Sequence, residues 1–250
     1  MATDFSLRYD TGNEGGTVMV RKLSGICMSV VLALSAVTLS AGDVAVFASL
    51  GFSPDSRIFA FAQYGVQEES LFPYADLFVV DVPENRFAPN GVIRSVREQR
   101  VTPGFDGSAA LYHVLRDQHE LLQRHRLQHD HTGRIIYVLH DGDEPRSRLD
   151  FRDFETGNRF QVELKQSSRG SGEGVSSRFH LELEVTPEGG SARRHTVGLP
   201  QFDREGVKRY RIQQAILSPD ERSLVFVIEM ERYAERGVDI RYMVETVRFR

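Results

Sequence analysis

The sequence predicts a mainly β protein, built from blade-type units of antiparallel strands in propeller-like or sandwich-like packing, with one amphipathic helix near residues 108–128. Three observations carry this reading. Two segments 165 residues apart spell nearly the same phrase, Gly51-Phe52-Ser53-Pro54-Asp55-Ser56-Arg57-Ile58-Phe59-Ala60-Phe61 and Ile216-Leu217-Ser218-Pro219-Asp220-Glu221-Arg222-Ser223-Leu224-Val225-Phe226. Each reads strand, tight turn, strand. Proline presets φ for the first central turn position, and aspartate folds its carboxylate back onto nearby amides. Short apolar runs bounded by Gly, Pro, Asn and Asp then recur along the chain. A single stretch, Gly107 to Gln128, has helical periodicity instead.

The amino-terminal part reads as an address. Residues 1–18 are polar, without apolar periodicity, and are taken as an upstream extension with Met19 as the true start. Residues 19–41 read as a signal peptide: Met19-Val20-Arg21-Lys22 is basic, and Leu23 to Ala41 carries no charge and ends in small residues. Cleavage fits best after Ser40, with Thr38 at the −3 position; Ala41 is the other choice. The run is also just long enough to act as an uncleaved anchor, but its hydroxyl residues and small-residue exit favour removal. Cys27, the one cysteine, lies inside it. It follows Ile26, close behind the basic pair, a poor setting for lipid attachment. The mature chain therefore needs neither disulfides nor thiolate chemistry.

Residues 42–250 form a single mature β-rich domain with a helical insertion at 108–128, large enough for one substantial core. Removing residues 1–41 takes away as many acidic as basic side chains, so the net charge of −4 is unchanged. With a pI near 6.1 and interspersed signs there is no basic stripe, which excludes nucleic acid as a partner. No membrane span remains in the mature chain. Tryptophan is absent, which weakens the case for a sugar-stacking platform.

The elements follow in order. Val44 to Phe52 is an apolar strand, and Arg57 to Tyr64 is a second one after the turn. Gly65 to Tyr74 reads as a loop, and Ala75 to Val82 as a buried strand around Leu77-Phe78-Val79-Val80. Pro83-Glu84-Asn85-Arg86 turns the chain toward Val92-Ile93. In the helical stretch Ala110, Val114 and Leu121 share a face, with Leu111, Leu115 and Leu122 beside them. Asp106 or Ser108 could cap its start, and Gly133 lies beyond its end. Strands resume at Arg134 to His140, Ser147 to Phe154 and Arg159 to Lys165, before a Gly/Ser-rich loop, Ser167 to Gly174. Phe179 to Val185 alternates apolar and polar residues as a half-exposed strand should. His195 to Leu199, the second Ser-Pro-Asp hairpin and Ile240 to Phe249 complete the chain.

An apolar strand, Ser-Pro-Asp-x-Arg, an aromatic-rich strand and then Leu77-Phe78-Val79-Val80-Asp81-Val82 resemble the blade repeat of Tol-type periplasmic β-propellers. Residues 47–86 carry the full pattern and residues 213–228 its first half. Residues 134–165, with Asp153-Phe154-Glu155-Thr156-Gly157, resemble its second half. The order of a signal, Gly-Phe-Ser-Pro-Asp, Gln63-Tyr64-Gly65-Val66-Gln67, Phe72-Pro73-Tyr74, a mid-chain helix and a last Ser-Pro-Asp resembles a family of bacterial predicted secreted proteins of unknown function. That likeness spans residues 41–250 and implies export without implying an activity.

Three groups of residues invite a role. His125, His129 and His131 cluster at the helix exit, and two imidazoles at i and i+4 share a face in a spacing used to grip zinc. No glutamate stands between the pair, as a metalloprotease would require. The loop ending in Phe72 and Tyr74, with Tyr64 at its start and Glu68 and Glu69 within it, is placed where β scaffolds bind partners. Ser53, Pro54, Asp55, Ser218, Pro219 and Asp220 read as structural turns. No nucleophile elbow, phosphate loop or dinucleotide fingerprint appears, and no catalytic residue or cofactor is expected. The expected function is thus an exported, non-enzymatic binding or scaffold module of the cell envelope, whose partner is an envelope protein or a small ligand. A periplasmic metal-binding protein using the three histidines is the second reading, and an envelope hydrolase without a recognisable motif the third.

Overall fold

A computed structural model describes residues 42–249 apart from Pro103 and Arg236; the extension and signal peptide read at 1–18 and 19–41 lie outside the described residues. The chain first forms a four-stranded antiparallel meander of β1 (Val46–Phe52), β2 (Ile58–Val66), β3 (Pro73–Asp81) and β4 (Arg86–Val96). Helices α1 (Ser108–Asp117) and α2 (His119–Arg124) follow. Then come β5 (Arg134–Val138), β6 (Arg148–Arg152), β7 (Arg159–Arg169), β8 (Ser176–Thr186), β9 (Arg193–Val197) and the two-residue β10 (Arg204–Glu205). The chain closes with β11 (Val207–Leu217), β12 (Ser223–Arg232) and β13 (Asp239–Arg248). Strands β6 to β10 make one sheet, and β13-β12-β11-β5 another.

These parts stack as layers: helices, amino-terminal sheet, middle sheet, third sheet. Period-two alternation decides which residue faces which neighbour. In β2 and β3 the large residues Phe59, Phe61, Phe78 and Val80 point at the middle sheet, and meet Ile216, Val225, Val227 and Val244. Their neighbours Ala60, Ala62, Ala75 and Leu77 point the other way, at Ala110, Leu111, Val114 and Leu121 of the helices. Small residues there let a helix approach the sheet closely. The opposite face of the middle sheet, with Leu224, Phe226 and Ile228, packs on Phe160, Val162, Leu181 and Leu183 of the third sheet. Covered on both sides, β12 is buried over seven consecutive residues, Ser223 to Glu229. Burying a side chain of this size contributes about 2 kcal/mol.

Mainly β architecture was expected, and the sandwich-like alternative is the one realised. Three details differ from expectation. Residues 134–165 do not form one unit, because β5 pairs with β11 while β6 pairs with β7. The helix is not continuous over 108–128: Gln118 leaves helical geometry (φ −109°, ψ 16°), and helical structure ends at Arg124. The break serves packing, since both pieces bury their leucines against the same sheet. Finally β7 runs on to Arg169, so the Gly/Ser loop shrinks to a turn around Gly172–Gly174.

Polar side chains seal the middle sheet against its neighbours. Along the outer edge of β13, Ile240 exchanges backbone bonds with Asp43 and Ala45 (2.9 and 3.1 Å). Further on, Tyr242 N–H donates to Gln63 Oε1 (2.7 Å) and Thr246 N–H to Asn85 Oδ1 (2.7 Å). An open strand edge is a template for aggregation, and here side chains of the amino-terminal sheet cover it. The amide of Asn85 also donates to Glu245 Oε2 (2.6 Å), whose other oxygen faces Arg204 of the third sheet (3.5 Å). One buried carboxylate thus joins three sheets, and burial raises its pKa.

Candidate functional site

The two Ser-Pro-Asp turns are built alike to within 0.1 Å at each shared hydrogen bond. Ser53 Oγ donates to Asp55 Oδ1 (2.6 Å) and accepts from Ile58 N–H (3.0 Å). Ser218 Oγ donates to Asp220 Oδ1 (2.6 Å) and accepts from Ser223 N–H (3.0 Å). The hydroxyls of Ser53 and Ser218 thereby spend their one proton, and accept one bond, inside the turn. Asp55 is held below the usual carboxylate range, chiefly by the Ser53 hydroxyl.

The histidines occupy a strap. His125 is the C-cap that follows α2, its backbone N–H donating to the Leu121 and Gln123 carbonyls; burial and then Arg124 lower its pKa. Beyond it the chain runs beside β1: Gln128 N–H donates to the Phe52 carbonyl (3.1 Å) and Phe52 N–H to the His131 carbonyl (2.8 Å). His129 Nδ1 bonds the Leu50 carbonyl (2.9 Å). Gly51 makes this approach possible, because a Cβ there would lie 2.2 Å from the Gln128 carbonyl oxygen, at a φ of +97°. Among the described residues no group of three or more His, Cys, Asp or Glu side chains is placed to hold a metal ion. His129 uses one ring nitrogen on backbone, and His125 and His131 flank it along the strap.

The loop between β2 and β3 is shorter than expected, because Gly65, Val66, Pro73 and Tyr74 all lie within strands. Alternation puts Tyr64 on the helix side of the sheet and Tyr74 on the middle-sheet side. These two rings do not converge on one ligand. Tyr64 is half-exposed; burial raises its pKa, with Asp106 and Tyr112 adding to the effect. Phe72 is half-exposed at the loop's end, where its N–H meets Ser70 Oγ (3.2 Å).

Tyr74 anchors a polar centre instead. Its hydroxyl donates to Asp43 Oδ1 (2.9 Å), and Arg241 donates to Asp43 Oδ2 (2.6 Å) and to the Asp43 carbonyl (2.9 Å). Arg241 also pairs with Asp239 (2.5 Å) and lies 4.8 Å above the Tyr74 ring. Burial drives the Tyr74 phenol far above its ordinary value. Burial also raises Asp239 and the nearby Asp76, which accepts from Gln63 Nε2 (3.0 Å). Arg241 stays charged, since Tyr74, Asp43 and Asp239 together outweigh its desolvation.

Asp43 and Asp239 of this centre, held from behind by Tyr74 and Arg241, line a cleft of about 540 Å³ together with Gln67, Glu68, Glu69, Ser70, Ala234 and Glu235. The β2–β3 loop supplies one rim. It is kept compact by Leu71 N–H to the Gln67 carbonyl (2.9 Å), Gln67 N–H to the Phe72 carbonyl (3.0 Å) and Ser70 Oγ to Gln67 Oε1 (2.7 Å). The β12–β13 connection supplies the other. Five carboxylates on the lining give the cleft a negative field that attracts cationic groups. Sequence reasoning reached Glu68 and Glu69 through their loop. It missed Asp43, Glu235, Asp239 and Arg241, because nothing in a sequence signals a pair 198 positions apart.

Among the described residues no helix is long and apolar enough to cross a membrane. No curated protein and no solved structure matches the chain. A family model described as predicted secreted protein (DUF2259) matches residues 60–248. That match takes in β3, β4, both helices and all the strands after them, along with the β2–β3 loop, the strap and both rims of the cleft, and its description agrees with the expected export. The chain belongs to this family of predicted secreted proteins of unknown function.

Proposed function

We propose that this exported protein is a non-enzymatic binding module of the cell envelope, and that the acidic cleft between the β2–β3 loop and the β12–β13 connection holds its partner. The observation that carries this reading is the wall itself. Tyr74, Asp43, Arg241 and Asp239 brace one another where two sheets meet, so the cleft is formed before any partner arrives. Preformed sites lose less entropy on binding. Its negative lining suits a partner that presents lysine or arginine side chains. Residues 19–41 are removed on export, after Ser40 or Ala41, and residues 1–18 are an upstream extension. In this reading Tyr74 acts by positioning Asp43, and Phe72 by fixing the end of the loop.

The test is recovery of the exported protein from envelope extracts with and without Glu68→Lys/Glu69→Lys. A stoichiometric partner that the variant loses at unchanged thermal stability supports the proposal. Turnover in a broad hydrolase panel, abolished by one substitution, overturns it in favour of an enzyme. Amino-terminal sequencing of the same material reads the cleavage point, and a chain starting at Met1 in the cytosol overturns the export and processing scheme.

A further inference from the structure

We propose that two copies of this chain associate about a two-fold axis, the Phe154 ring of each entering a socket beside Phe249 of the other. Phe154 is 91% exposed, yet its turn is held by backbone and side-chain bonds on every side. Asp153 N–H donates to the Asn158 carbonyl and Gly157 N–H to the Asp153 carbonyl, both at 2.9 Å. Thr156 closes the turn through its N–H (3.1 Å) and hydroxyl (2.5 Å) on Asp153 Oδ2. On either side of Phe154, Asp153 and Glu155 are gripped by the same guanidinium. Arg134 donates to both oxygens of Asp153 (3.1 and 2.9 Å) and to Glu155 Oε2 (2.6 Å), and reaches Glu221 as well (3.0 Å). An apolar ring is therefore projected into solvent from a preorganised turn. Rigid aromatic anchors of this kind dominate protein interfaces, because their ordering cost is met before binding.

The socket lies at the same end of the same sheet. A crevice of about 300 Å³ is lined by Val185, Pro187, Arg193 and Phe249. Val185 pairs in register with Phe160, two residues past the Phe154 turn. Arg152 pairs with Glu188 (3.2 Å), and Gly157 packs against that same glutamate. Knob and socket are thus adjacent, and a surface carrying both is self-complementary, as a two-fold interface requires. Charge agrees with shape. Glu155 stands beside the knob with one carboxylate oxygen beyond its bond to Arg134, and Arg193 stands at the socket, so each Glu155 faces the other copy's Arg193 across the axis.

Sedimentation equilibrium of the untagged exported protein tests this, over a wide concentration range and at low and high salt. A monomer–dimer equilibrium is expected, weakened at least about tenfold by Phe154→Ala and by Arg193→Glu. Both positions are exposed, so folding is unaffected, and thermal melts of each variant check that. Glu155→Gln, which leaves Arg134 on Asp153 and adds no cation to the turn, should weaken association and reduce its salt dependence. A monomer at every concentration overturns the proposal and leaves the Phe154 turn for a different partner. A dimer that neither single substitution weakens also overturns it, and a salt dependence that Glu155→Gln leaves unchanged overturns the two-fold register.

Discussion

The hairpin around Ser53-Pro54-Asp55 and the one around Ser218-Pro219-Asp220 share their turn chemistry but sit in different layers. In both, the residue after aspartate adopts a left-handed backbone, Ser56 at φ 55° and Glu221 at φ 57°. In both, the turn's serine and aspartate make the same bonds. The strands that follow diverge. After the first turn, Ala60 and Ala62 face the helices; at the matching positions after the second, Val225 and Val227 face another sheet. A local phrase can be reused unchanged, because its bonds close within six residues. The side chains around it are set by what each layer must pack against.

The largest effect that sharpens this contrast is in the middle sheet. Phe226→Ala should cost about 4 kcal/mol by opening a cavity at a site packed on all sides. Denaturant melts read this value, and a loss below about 1 kcal/mol would mean that β12 is not the core strand described. Next comes the exchange of matching positions. Ala60→Val should cost about 1–3 kcal/mol by overpacking against α1, while Val225→Ala costs about 2 kcal/mol by underpacking. If Ala60→Val proved neutral, close helix approach would not be the reason for alanine there.

Acid should act on the third, related turn. Burial alone would raise the Asp153 carboxyl, but bonds from Arg134 and Thr156 outweigh it and hold the pKa at about 2, below the ordinary 3.8. A carboxyl depressed by folding contributes stability above its unfolded value and loses it as pH falls toward the folded one. For Asp153, whose side chain is 3% exposed, that is roughly 2 kcal/mol lost between about pH 4 and pH 2. Asp153→Asn should flatten this part of the stability profile; an unchanged profile would show that Arg134 does not hold the turn. Asp76 and Asp239 work in the opposite direction. Raised by burial, they contribute stability below their unfolded values that is lost as pH rises through the folded ones.

Smaller effects separate the two Ser-Pro-Asp turns. Asp55→Ala and Asp220→Ala should each cost on the order of 1 kcal/mol through the lost turn bond. The second should cost slightly more, because Asp220 also meets Arg248 (3.3 Å). Calorimetry distinguishes them, and equal melting temperatures would make that ion pair irrelevant. The last pair changes sign. Ser56→Gly should stabilise by about 1 kcal/mol, since glycine removes the left-handed strain and a buried hydroxyl that finds no hydrogen-bond partner among the described residues. Glu221→Gly relieves the same strain but loses Arg134, so its net effect should lie near zero. Stabilisation of equal size at both positions would show that the Arg134 pair contributes nothing.

Much of this protein was legible in its residues alone: export, a mainly β chain, both Ser-Pro-Asp turns, the four-strand meander and the leucine face of the helical segment. Those features rest on local chemistry, in which turn bonds close within six residues and periodicities of 2 and 3.6 assign each side chain to a face. The sequence by itself did not place β5 and β6 in different sheets, because two apolar strands of five residues carry no label for their partners. Nor did it show that Gln118 would break the helix, a concession to seating both halves on one sheet. The loop with Glu68 and Glu69 was visible as a place to look. Asp43 and Asp239, with Arg241 bracing them, complete the cleft through contacts between opposite ends of the described chain, and only the stacking of the middle sheet on its neighbour brings those ends together.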